Sequence, residues 1–220
     1  MSVQALIIKA VNIREKGDPA GALETFCEAM RLSENPIEQA EIMGQMALCY
    51  QHLNDLDMAV ILYNAAADTL SQHADVVGVA RMRRQLSSIQ LYRGDLDGAY
   101  ELALKARSSI VSHGYRPNDL CHMTHGIIKV LYKKRQGRDF SSWFSYTSEI
   151  WSWLMIEAKE IRQMYPREKS IARDVWFTGF LADLGMFFPV LTFPFGLLGY
   201  LIAKSNGLGL RVAQFKNRSM

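Results

Sequence analysis

Several features that define specialised chains are scarce or missing in this sequence. Its three cysteines in 220 residues, Cys27, Cys49 and Cys121, are too few and too widely spaced for a disulfide framework. They fit a reducing compartment in which thiols serve as small apolar side chains. Six prolines and 15 glycines exclude a collagen-like repeat or a Pro/Gly-rich linker. No nucleophile elbow, phosphate-binding glycine loop or paired zinc-ligand spacing occurs, so no catalytic residues, no metal and no cofactor are expected, and an enzyme is the weaker reading. His113, Cys121, His122 and His125 lie close in sequence, but no second cysteine or carboxylate completes four metal ligands. Residues 1–16 carry Lys9, Arg14, Glu15 and Lys16 inside the span where a secretory signal would need an uninterrupted apolar core. A cytoplasmic location is therefore expected.

What is present is an ordinary globular composition, 49% hydrophobic and 21% charged, sufficient to bury a sizeable core. The net charge of +3 averages two unlike parts: residues 1–115 hold 10 basic and 14 acidic side chains, residues 116–220 hold 15 and 8. Six of the ten phenylalanines fall within 175–203. The only short basic run is Lys133, Lys134 and Arg135, and the first half is acidic, so no nucleic-acid partner is expected.

Three segments of the first half share one pattern. Gly17-Asp18-Pro19-Ala20-Gly21-Ala22 leads to Phe26 and Ala29; Asn54-Asp55-Leu56-Asp57-Met58-Ala59 leads to Tyr63 and Ala66; Gly94-Asp95-Leu96-Asp97-Gly98-Ala99 leads to Ala103 and Ala106. The spacings, Ala22 to Ala59 and Ala59 to Ala99, are 37 and 40 residues. Gly or Asn supplies the left-handed residue that ends one helix, and Asp caps the next. The alanines fall on one helical face, where small side chains let antiparallel helices approach and Phe26 or Tyr63 fills the space between. Helical periodicity continues upstream, as in Met43, Met46, Ala47 and Tyr50. Six helices are predicted, over 2–16, 19–33, 36–53, 55–72, 75–93 and 95–113.

These residues resemble the tetratricopeptide repeat (TPR), which has a small residue in its first helix, Gly-Asp at the turn, and Ala, an aromatic and Ala in its second. The resemblance covers residues 3–113. It departs in repeat length and in lacking the early Trp and the terminal Pro. A degenerate fourth unit is suggested by Gly137-Arg138-Asp139-Phe140, with Ser142 at the small position. The resemblance implies that the first helix of each pair lines a concave surface that binds another protein as an extended peptide or helix. Projected onto this chain, that surface carries Ile7, Val11 and Arg14, then Glu41, Leu48 and Gln51, then Arg81, Arg84, Ser88 and Tyr92. Some TPR cochaperones hold a C-terminal carboxylate with Lys, Asn and Arg from successive first helices. Here the matching positions are Ile7, Val11 and Gln45, with Arg81 or Arg84 alone retaining a cation, which puts that activity in doubt.

In the second half, Leu120, Met123, Ile127, Val130 and Leu131 predict a helix over 118–136 that ends in Lys133, Lys134 and Arg135, cations suited to its C-terminus. Phe140, Trp143, Phe144, Trp151, Leu154, Ala158 and Ile161 form an aromatic stripe on a long helix closing near Tyr165-Pro166. It packs as a solenoid cap or meets an apolar–aqueous interface. Residues 175–203 contain one charge, Asp183, and the last 20 of them none. Candidate membrane-contacting residues are Trp176, Phe177, Phe180, Phe187, Phe188, Phe193, Phe195, Leu197, Leu198, Tyr200 and Leu201. Roughly 20 apolar residues suffice for a membrane span, so a tail anchor is one placement. Pro189 and Pro194 divide the stretch into arms too short to cross alone, so a re-entrant hairpin is another. Burial within the helical stack or in a homo-oligomer interface is the third. Basic flanks are equal, Arg162, Arg167, Lys169 and Arg173 before and Lys204, Arg211, Lys216 and Arg218 after, which favours both ends on one face.

The expected architecture is all-α: a repeat domain over 1–115, a degenerate fourth repeat or capping helices over 116–174, an apolar segment over 175–203 and a basic tail over 204–220. The expected function is a protein-interaction adaptor held at the cytoplasmic face of a membrane. The alternative is a soluble helical-repeat chaperone or regulator whose C-terminal segment caps the solenoid or forms a homodimer interface.

Overall fold

The structure, a computed structural model, describes residues 1–113 and 117–164. Residues 165–220 lie outside them, and with them the apolar segment and all eleven of its candidate membrane-contacting residues, the basic tail and the close of the last helix. Two compact units divide the chain, Met1–Gly114 and Tyr115–Met220. Among the described residues there are eight helices and no strands.

The first unit is three helical hairpins in chain order: α1 (Val3–Glu15) with α2 (Pro19–Leu32), α3 (Pro36–His52) with α4 (Leu56–Gln72), and α5 (Val76–Arg93) with α6 (Leu96–Ser112). Every helix begins and ends within one residue of the bounds predicted from sequence. The reason is the turn chemistry. Gly17, Asn54 and Gly94 sit at φ +92°, +62° and +87°. Asp18, Asp55 and Asp95 then accept from the backbone N–H of Gly21, Met58 and Gly98 at 2.8, 3.1 and 3.0 Å. The preceding helices close with i to i−5 bonds, Asp18 to Ile13, Asp55 to Tyr50 and Asp95 to Gln90, so the carbonyls left open at each C-terminus are satisfied.

The same turn occurs once more, between hairpins, without its glycine. Ala74 stands at φ +57°, Asp75 bonds back to the Leu70 carbonyl at 2.9 Å, and the Asp75 carboxylate caps Gly78 N–H at 2.9 Å. A β-carbon in this conformation costs roughly 1–2 kcal/mol, part of which a glycine returns through the entropy of the unfolded chain. Ala74→Gly is therefore expected to raise the unfolding free energy by about 0.5–1 kcal/mol, and Gly94→Ala to lower it by about as much. Urea titration followed by helical circular dichroism checks both.

The alanines of the repeat pattern are where the helices meet. Ala22, Ala29, Ala59, Ala66, Ala99 and Ala106 are fully buried, as are Ala10 and Ala47 on the facing helices. In the third hairpin the facing position is Ser87, whose buried hydroxyl donates to the Ala99 carbonyl at 2.6 Å, so a polar atom is accommodated at close approach without loss. Two apolar clusters share α3. Ile42 and Cys49 pack with Leu6, Ala10, Ala22, Phe26 and Ala29, while Ala40 and Ala47 pack with Ala59, Tyr63, Ala66, Leu70, Val79, Met82 and Ile89. One helix thereby joins successive hairpins, which is how a repeat array builds a continuous core.

In the second unit α7 (Pro117–Arg135) packs on α8 (Phe140–Met164). Gly137 at φ +69° and Asp139, which accepts from Ser142 N–H at 3.1 Å and from its hydroxyl at 2.8 Å, repeat the turn chemistry of the first unit. Leu120, Met123, Ile127, Val130 and Leu131 are buried as their spacing predicts. The aromatic stripe of α8 is divided. Thr147, Ile150 and Leu154 form the buried row, whereas Phe140 and Phe144 are 71% and 58% exposed. Side chains of Ala158 and Ile161 lie outside the described residues.

Candidate partner-binding surface

The residues projected onto the binding surface come from α1, α3 and α5, the first helix of each hairpin. Glu41, Arg81 and Tyr92 are exposed, and Leu48, Gln51, Arg84 and Ser88 are half-buried. Ile7 and Val11 are half-buried against the first apolar cluster. The Ser88 hydroxyl donates to the Arg84 carbonyl within its own helix at 3.3 Å. Arg14 stands apart, only 9% exposed.

Arg14 is buried because it ties two hairpins together. Its Nη1 donates to Gln45 Oε1 on α3 at 2.5 Å, and its guanidinium also bonds the Cys49 thiol. Burial pushes that thiol above its ordinary 9.0, while the charge and the hydrogen bond of Arg14 pull the other way. Tyr63, reaching across from α4, donates to Gln51 Oε1 at 3.2 Å. Burial raises the Tyr63 hydroxyl far above its ordinary 10.0, against the opposing pull of Arg84 and then Arg14. Tyr63 is therefore a neutral O–H, with Arg84 and Arg14 opposing its burial and the Cys49 thiol adding to it.

Arg14 is thus bonded to Gln45 and Gln51 to Tyr63, while the charge of Arg84 acts on the Tyr63 hydroxyl. Sequence reasoning placed Tyr63 in the core and Gln45 only at a clamp position it fails to fill. The period of the repeats was the signal available for both, since it sets which helix each occupies but not how long side chains interleave. Chemically the cluster is a set of neutral donors and acceptors with cations from the first and third hairpins, suited to hydrogen-bonding and charge recognition and holding no nucleophile–base pair.

His113, at the end of the first unit, and His125, on α7 of the second, serve separate local roles. His113 Nδ1 lies 3.0 Å from the Ser109 carbonyl, and His125 Nδ1 lies 3.2 Å from Glu157 Oε1 on α8. Among the described residues no group of three or more histidine, cysteine or carboxylate side chains is placed to hold a metal ion. Among the same residues no helix is long and apolar enough to cross a membrane.

With hairpins, turns and small-residue contacts in place, the fold is that of a TPR-like helical-repeat protein. The structure superposes on BtubC (BKLC) from P. vanneervenii with a TM-score of 0.66 and 11% identity, over 96% of this chain and 81% of that one. It also superposes on a kinesin light chain with nearly identical TPR-like repeats from Podosopora anserina, with a TM-score of 0.63 and 12% identity, over 92% of this chain and 96% of that one. No protein-family model matches the sequence. Among curated proteins, the chain is similar to Photosystem I assembly protein Ycf3 of Synechococcus sp. (strain WH7803), 27% identical over 105 residues, 46% of this chain and 61% of that protein. It is also similar to Ycf3 of Prochlorococcus marinus (strain MIT 9303), 34% identical over 58 residues, 26% of this chain and 34% of that protein. The chain thus spans less than two thirds of the length of these relatives.

Proposed function

We propose that this protein is a non-enzymatic adaptor that holds a segment of another protein against the first helices of its repeats, in the manner of an assembly factor. The observation that carries this is the Arg14–Gln45 hydrogen bond between the first two hairpins, beside the Tyr63–Gln51 bond of the second, whose hydroxyl feels the charge of Arg84 from the third. Half-buried Arg84, together with exposed Arg81 and Tyr92 on α5, suits a partner segment bearing carboxylates beside an apolar residue. The similarity to Photosystem I assembly protein Ycf3 supports a role in assembly.

Peptide arrays graded from acidic to basic test the recognition, followed by anisotropy titration of the best peptides. Acidic peptides are expected to bind, more weakly as salt is raised. Arg81→Glu combined with Tyr92→Ala, both on exposed positions, is expected to weaken them by about tenfold or more, equivalent to about 1.4 kcal/mol. Equal binding by wild type and variant would reject this surface.

The uncharged run 184–203 supports, on sequence alone, attachment of the adaptor to a membrane. Fractionation of the full chain beside a chain ending before residue 175 tests it, since attachment through this run requires the shorter chain to leave the membrane fraction.

A further inference from the structure

One face of each first helix runs in the same register, and its chemistry changes from hairpin to hairpin. Counted back from the turn residues Gly17, Asn54 and Gly94, the positions thirteen and two before are exposed in every case. They are Gln4 and Glu15 on α1, Glu41 and His52 on α3, and Arg81 and Tyr92 on α5. The position six before is half-buried each time, as Val11, Leu48 and Ser88. The position ten before is Ile7, Gly44 or Arg84. At about 100° per residue these four positions share a strip about 80° wide.

The three strips adjoin. α1 meets α3, and α3 and α5 approach so closely at Gly44 that a β-carbon there would stand 2.9 Å from Met82 Cε. Across this row the middle of the strip passes from Ile7 and Val11, through Gly44 and Leu48, to Arg84 and Ser88. Charge changes in the same direction. The acids of the strips are Glu15 on α1 and Glu41 on α3, whereas α5 contains four arginines and no carboxylate. Arg83 donates to Ser109 and Arg93 pairs with Asp57, while Arg81 and Arg84 are the two that fall in the strip. Arg14 is 9% exposed and bonded to Gln45, so it adds no cation to the strip of α1. A carboxylate laid over α5 therefore meets guanidinium groups, and one laid over α1 or α3 meets Glu15 or Glu41.

We propose that the partner segment is ordered. An extended stretch lies across the three first helices, its apolar side chains on Ile7, Val11 and Leu48 and its Asp or Glu side chains on Arg81 and Arg84. Helices about 10 Å apart and a rise of about 3.3 Å per residue set roughly three to six residues between the apolar and the acidic positions. This rests on the adaptor role proposed above and adds which side of the surface takes which end of the segment.

The test titrates capped peptides of one composition into the full-length chain by fluorescence anisotropy. One has leucines and aspartates segregated at opposite ends and is made in both chain directions; the other alternates them. Capping removes the terminal charges, so only side-chain carboxylates are read. The better segregated peptide is expected to bind about tenfold or more tightly than the alternating one. A benzophenone at its leucine end is expected to cross-link α1 or α3, and one at its aspartate end α5, as read by mass spectrometry on the unaltered chain. Arg84→Gln is expected to weaken the segregated peptide by about tenfold and to leave a version with serine in place of aspartate unaffected; circular dichroism verifies that the variant keeps its helices. Equal affinity for segregated and alternating peptides would overturn the ordering and leave the adaptor role standing. Cross-links from both ends to the same helix, or in the reverse order, would do the same. Failure of every acidic peptide to bind would overturn both.

Discussion

Replacing Tyr63 by alanine is expected to lower the unfolding free energy by about 3–5 kcal/mol, the cost of truncating a large buried aromatic. The ring is 1% exposed and packs among Ala40, Ala47, Ala59, Ala66, Leu70, Val79, Met82 and Ile89. Four of those neighbours are alanines and cannot extend to fill the void. Because each hairpin is stabilised by its neighbours, the loss spreads to α3 and α5, and urea titration by circular dichroism should show helix melting earlier and less cooperatively. Tyr63→Phe removes only the hydroxyl that donates to Gln51 and is expected to cost about 0.5–1.5 kcal/mol. The pH dependence separates the hydroxyl from the ring. Burial holds Tyr63 and Cys49 above their ordinary values of 10.0 and 9.0. As pH rises through those values the unfolded chain releases protons that the folded chain keeps, so the unfolded state binds fewer protons and stability falls with rising pH. Wild type should therefore lose stability above about pH 9. Tyr63→Phe should lose less over the same range; an unchanged slope would mean that the buried hydroxyl is not the group responsible.

The repeat unit was legible because its information is local. A left-handed Gly or Asn followed by Asp fixes where a helix stops and the next begins, and this happened at Gly17, Asn54 and Gly94. Ala74 shows the limit. The backbone adopts the same conformation there without the Gly or Asn that marks it elsewhere, so the break between the helices predicted over 55–72 and 75–93 was legible while the left-handed residue within it was not. The binding cluster was half legible. Periodicity placed Arg14, Gln51 and Arg84 on first helices, yet nothing in one helix reveals that Arg14 reaches Gln45 and Cys49 on the next. Long side chains choose partners across helices through geometry finer than the period. On α8, the spacing put Phe140, Trp143, Phe144 and Trp151 in one stripe, packed or interfacial. The row that faces α7 includes Thr147, to which Arg135 donates, and leaves Phe140 and Phe144 exposed. A polar pair between helices, invisible to a hydrophobic pattern, thus stands in the buried row beside Ile150 and Leu154.

That pair supports the second large effect, at Arg135. The side chain is 4% exposed, and its guanidinium lies 4.8 Å from the centre of the Tyr132 ring and 4.9 Å from that of Trp143. Its Nη1 donates to Thr147 Oγ1 at 3.0 Å. Desolvated cation–π contacts contribute up to about 2 kcal/mol each, and a hydrogen bond from a charged donor about 1.5–3 kcal/mol, against the cost of taking a cation out of water. Arg135→Ala is expected to destabilise the α7–α8 hairpin by about 2–4 kcal/mol. All four tryptophans of the chain, Trp143, Trp151, Trp153 and Trp176, lie in the second unit, so their fluorescence during urea titration reports this unit selectively. Lysine keeps the charge but has no plane to stack between two rings, and should recover less than half of the loss. Methionine keeps the stem and fills the space between the rings without burying an ion, so Arg135→Met should lie closer to wild type than lysine does. The order Met above Lys above Ala would show that the guanidinium acts as a flat spacer between aromatic faces. Lysine above methionine would show instead that its charge stabilises the hairpin.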